Sequence, residues 1–176
     1  MSARAGWPHS PRDVGASVRE AGDDVVVAAL VDGAGPVGPG VTYELVQSSE
    51  VSARTVGALL STDVDVGLIE HEFSIFGGQD GAVLRALTDS LTVPYVITLH
   101  PILEPFRSWQ TTALTAPLAS AALVFVFSDE AVQLIAAQFA GIEPKCRVVP
   151  HAAPVRCTAP THLTSGNIWA YRNTRW

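Results

Sequence analysis

Two kinds of apolar pattern alternate along the chain. The first is short, continuous and rich in β-branched residues: Val25–Val31, Val64–Ile69, Pro94–Leu99 and Leu123–Phe127. Runs of this length that are apolar at nearly every position predict buried strands covered on both faces. Val41–Val46 instead alternates, which predicts a strand nearer a sheet edge, and Arg147–Val149 predicts a last short strand. The second pattern has the helical period. It covers 12–21 through Val14, Val18 and Ala21, Ser49–Ser61 through Val51, Val56, Leu59 and Leu60, and Asp80–Leu91 through Val83, Leu84, Leu87 and Leu91. Residues 104–120 predict a helix broken or bent at Pro117. Residues 129–140 predict another, with Ser128 as its cap and Gly141 as its stop.

Strands alternating with helices imply parallel strands and right-handed crossovers. The expected fold is α/β, a Rossmann-like doubly wound parallel sheet with helices on both faces. In such a sheet every strand's carboxyl end lies on one rim, where ligands bind. The polar groups that follow the predicted strands are Glu70 and His71, His100, Ser128, and His151. Topology alone gathers them on one edge.

Each of these has a plain structural alternative. His100 could bond only a backbone carbonyl, His71 could pair with Glu70 or Glu72, and His151 could be a solvated hinge. Ser128 reads as a helix cap rather than a nucleophile, since no G-x-S-x-G surrounds it. Phe73, Ile75 and Phe76 suit loop packing as well as ligand contact. Gly77-Gly78 ahead of a helix suggests phosphate binding through backbone N–H groups, but Asp80 would repel a phosphate and suits a cap. A divalent metal on Glu70, His71, His100 and His151 is chemically conceivable, though the spacing matches no metal motif.

Composition narrows the classes. The chain has 176 residues, enough for one domain, and 48% are apolar. The net charge is −6, with no basic cluster, which argues against nucleic acid and anionic membranes. Cys146 and Cys157 form no disulfide framework, which favours a reducing cytoplasm. No run approaches the roughly 20 apolar residues of a membrane-spanning helix. Residues 155–176 hold three Arg, no acid, and Trp169 and Trp176, without a periodic apolar face. They are expected to form a disordered or non-native tail.

Glu70-His71-Glu72-Phe73-Ser74-Ile75-Phe76-Gly77-Gly78 is similar to the Gln-His-Glu-Phe-Gly-Ile-Phe-Gly-Gly signature of some family 4 glycosyltransferases. Thr98-Leu99-His100 and Pro150-His151 match at the expected separations. Residues 12–154 thus resemble the amino-terminal Rossmann-like domain of a two-domain GT-B enzyme. The resemblance implies transfer of a sugar, mannose being a candidate, from a nucleotide-sugar co-substrate to a glycan or lipid acceptor, with no metal or other cofactor. It implies that His100 is catalytic and sits against the donor sugar. By the same resemblance Glu70, His71, Phe73, Gly77, Gly78 and His151 bind substrate, with Pro150-His151 marking the crossing to a carboxyl-terminal domain that holds the nucleotide.

The chain departs from that pattern at Glu70, Ser74 and Ala152, where Gln, Gly and Gly are usual. Nothing in residues 1–11 matches the family's first strand, and nothing after 154 matches its second domain. The expectation is a truncated enzyme, inactive alone. Strands 25–31 and 64–69 would then flank an empty central place. They would either pair directly or leave two exposed edges, and the chain would be marginally stable and poorly soluble. Two other readings are a non-catalytic Rossmann-like module that binds a glycan or nucleotide, and a metal-dependent hydrolase.

Overall fold

Strands this apolar are expected inside a layered structure, and one face of each inner strand is indeed buried. The structure, a computed structural model, describes residues 18–33, 39–73, 75–77, 81–100, 102, 105–149 and the backbone of 167–172. Its strands are β1 (Asp24–Val31), β2 (Tyr43–Val46), β3 (Val66–His71), β4 (Tyr95–Leu99), β5 (Leu123–Val126), β6 (Cys146–Val148) and β7 (Asn167–Arg172). Its helices are α1 (Glu50–Asp63), α2 (Ala82–Ser90), α3 (Ser108–Ser120) and α4 (Asp129–Gln138). A helical turn at 18–20 precedes β1; the rest of the helix expected over 12–21 lies outside the described residues.

The sheet order is β2-β1-β7-β3-β4-β5-β6. β3 through β6 pair in parallel, as do β1 and β2, and helices flank the sheet. This is the Rossmann-like α/β architecture that the alternating pattern predicts. The alternating segment Tyr43–Val46 is indeed an edge strand, with β6 at the other edge. Ser49 and Ser128 cap α1 and α4, each accepting the backbone N–H three residues on.

Close helix packing is set by two glycines. A Cβ on Gly57 of α1 would lie 2.8 Å from the Leu87 carbonyl oxygen of α2, so only Gly lets these helices meet. Gly81, at φ 73°, opens α2 directly against Ala113 of α3. The helix expected from Asp80 therefore begins at Ala82, with Gly81 as its cap. α3 starts at Ser108 rather than 104 and carries Pro117 in its last turn without ending there. The Tyr95 hydroxyl, buried beneath it, donates to the Pro117 carbonyl at 2.6 Å.

β3 and β5 alternate strictly between buried and half-buried positions. Gly67, Ile69 and His71 share the buried face with Tyr95, Ile97 and Leu99. The core there includes Leu60, Val83, Leu84, Leu87, Leu114, Leu118 and Ile135, all nearly inaccessible.

Two expectations fail at the centre of the sheet. Residues 155–176 do not all lie outside it, because Asn167–Arg172 forms β7. The place between β1 and β3 is neither empty nor closed by direct pairing. β7 occupies it, antiparallel to both, with Asp24↔Arg172 and Ala29↔Asn167 on one side and Val66↔Tyr171 and Ile69↔Ile168 on the other. The physical reason is the demand of two facing rows of backbone N–H and C=O groups, which are costly to bury unpaired. Ile168, Trp169 and Tyr171 of β7 are strand-forming residue types.

Candidate functional site

β3 runs two residues further than its apolar run. Glu70 and His71 are its last residues rather than a loop beyond it. Because strand side chains alternate, the two point to opposite faces and meet different fates.

Glu70 pairs in register with Thr98 of β4, so both side chains lie on one face. His100, two residues after Thr98, shares that face. The Thr98 hydroxyl donates to Glu70 Oε1 at 3.1 Å, and His100 Nε2 lies 2.8 Å from Glu70 Oε2. The Glu70 side chain keeps 14% of its exposure and that of His100 keeps 35%. A carboxylate that far from water needs such partners, and here both oxygens have one. The His100 backbone N–H donates to the His71 carbonyl at 3.0 Å, carrying the β3–β4 ladder to the rim. Phe127, just past β5, lies beside the imidazole, with ring centroids 5.3 Å apart and the planes tilted by 56°.

His71 is 3% exposed. Phe76 stacks on it at 5.7 Å and Phe73 meets it edge-on at 4.9 Å. Burial lowers its pKa to about 4, and the neighbouring His100 adds to the shift. His71 is therefore a neutral core residue. At 3% exposure, enclosed by Phe73 and Phe76, its observed role is packing.

The loop after β3 is built around that buried ring. Phe73 is half-buried and packs on Trp109 and Phe106 at the start of α3. The Ser48 N–H donates to the Phe76 carbonyl at 3.1 Å, and Gln47 Nε2 donates to that of Ile75 at 2.6 Å. Gly77 sits at φ 66°, and a Cβ there would stand 2.3 Å from Ser48 Oγ. Its glycine is required by backbone conformation and close approach. Gly78 and His151, the remaining expected binding residues, lie outside the described residues.

The structure thus brings Glu70 and His100 together and sends His71 and Phe73 into packing. Thr98 and Phe127 were missed as members of the site. Thr98 was legible, since it stands two residues before His100 in one strand and so shares its face. Among the described residues no group of three or more His, Cys, Asp or Glu is placed to hold a metal ion. No helix among them is long and apolar enough to cross a membrane.

Chemically, this is an imidazole held by one nitrogen on a carboxylate, at the carboxyl rim of a parallel sheet. Such a group can accept or share a proton with a hydroxyl-bearing ligand. In comparisons with known proteins, no family model, no curated protein and no solved structure matches the chain.

Proposed function

We propose that this chain is the acceptor-side, Rossmann-like domain of a nucleotide-sugar glycosyltransferase of the GT-B type, resembling family 4. Sugar moves from a nucleotide-sugar donor to a glycan or lipid acceptor, and a second domain holds the nucleotide. His100 is the catalytic group, bonding a donor-sugar hydroxyl and steadying charge as the glycosidic bond breaks. Glu70 and the loop after β3 shape the cleft around it.

The observation that carries this reading is the half-exposed His100 on the carboxyl rim, bonded to Glu70 at 2.8 Å. Rim position is where open α/β sheets bind ligands, and a bonded imidazole suits a polyhydroxylated one. The test is transfer from labelled GDP-mannose and UDP-hexoses to glycan and lipid acceptors, with the chain alone and with an added family 4 carboxyl-terminal domain. Transfer is expected only in the mixture. His100→Ala should lower it by about 10²–10⁴-fold, the range for loss of one positioned acid–base group. Full turnover in that variant would remove His100 from catalysis. Saturable glycan binding without turnover in any mixture would favour a non-catalytic binding module instead.

A further inference from the structure

We infer that Glu70 is a positioning residue that fixes the tautomer and orientation of His100, leaving His100 Nδ1 as the hydrogen-bond acceptor offered to a ligand hydroxyl. The inference rests on the proposed function for the identity of that ligand, but its geometry stands apart from it.

Both carboxylate oxygens of Glu70 are engaged from within the sheet. Thr98, 6% exposed, donates to one, and the hydroxyl has a register-fixed place directly across from Glu70. The other oxygen receives His100 Nε2. An ionised carboxylate only accepts hydrogen bonds, so the nitrogen facing it carries the proton. In the neutral imidazole the second nitrogen, Nδ1, then holds a lone pair. Two further contacts restrain the imidazole. Its backbone N–H is tied to the His71 carbonyl at 3.0 Å, and Phe127 lies against one side of the ring. A ring held at its backbone, one nitrogen and one side has few ways to turn. Glu70 is thus spent on His100 rather than on substrate, which replaces the binding role first expected of it.

The test is nitrogen-resolved NMR of the full chain labelled with 15N-histidine, in the cold, with His100 assigned by the signal missing in His100→Gln. The expected wild-type result is a downfield, bonded ring proton on Nε2 and an unprotonated Nδ1. Glu70→Gln keeps the shape and an acceptor oxygen but loses the charge, and should move that proton upfield. Glu70→Ala should abolish it. Thr98→Val, nearly isosteric, frees Oε1 from its tether and should broaden the signal without removing it. A protonated Nδ1 in the wild type, or a ring signal unchanged in both Glu70 variants, would overturn the inference. If the ring signals behave as stated and no sugar transfer is found under any condition, the proposed function fails and the positioning role stands.

Discussion

His71 and His100 sit at the ends of neighbouring strands, joined by a backbone hydrogen bond, yet they are opposite kinds of histidine. His71 turns to the buried face, among Phe73 and Phe76, and is kept neutral by burial. His100 turns to the other face, keeps 35% of its side-chain exposure and bonds a carboxylate. One step of strand alternation separates a core residue from a candidate catalytic one. Residue type and rim position therefore cannot assign function alone; the parity of the position within its strand has to be known as well.

The comparison breaks most visibly under truncation. His71→Ala should cost roughly 3–4 kcal/mol, since it removes a buried ring from an aromatic cluster and leaves a cavity. His100→Ala should cost less, about 1–2 kcal/mol, because its ring is partly solvated and the main loss is the hydrogen bond to the mostly buried Glu70 carboxylate. Urea unfolding of the two variants measures the gap. Equal losses would mean that the two rings are equally buried.

Acid acts on His71 next. The His71 pKa is about 4 in the folded chain, against an ordinary value of 6.5. Between those two values the unfolded chain binds a proton there and the folded chain does not. Stability from this group is thus full above pH 6.5, falls as pH drops through the window, and levels off below about 4. The loss is roughly 3 kcal/mol. His71→Phe, which keeps an aromatic ring, should flatten that part of the stability–pH curve. A variant curve parallel to the wild type would show that His71 titrates normally.

A smaller effect sharpens the contrast from the loop side. Gly77→Ala forces a left-handed backbone onto a residue with a side chain and presses on Ser48. It should cost about 1–2 kcal/mol and loosen the cover that Phe76 provides over His71. The acid-sensitive window should narrow accordingly. Ser48→Gly in the same chain should recover part of the loss, because it removes the hydroxyl that meets the new methyl group. No recovery would mean that backbone strain alone sets the cost.

Much of this architecture was legible in the sequence. Continuous Val-rich runs gave the inner strands, alternation gave the edge strand β2, and Ser128 was readable as a cap. Two features were hidden, each for a physical reason. β3 extends through two ionisable residues, which a polarity reading takes for a loop. Glu70 fits because Thr98 and His100 satisfy it from across the sheet, and His71 because the following loop folds two Phe rings back over it. The partners of Glu70 are remote in sequence, so no local pattern announces them. β7 was hidden because its value lies in pairing with two distant strands, while its flanks, rich in Ser, Thr and Arg, read as tail. Its Ile-Trp-Ala-Tyr core was the available signal. For the site, the His100 position was legible, while the Glu70–His100 bond and the burial of His71 were not, the latter for want of strand parity.

The place of β7 also bears on how the chain reaches this structure. Asp24 at the start of β1 pairs with Arg172, nearly the whole chain away. Of the described strands, β7 is the last to leave the ribosome, yet it joins the two halves of the sheet. Until it arrives, β2-β1 and β3-β4-β5-β6 are separate blocks, each with an unpaired apolar edge. Contacts of such long range must close a large loop before they gain anything, which slows folding. The newborn chain therefore passes through a stage with both edges open to other strands, and assisted folding at low chain concentration should favour the finished sheet over aggregates.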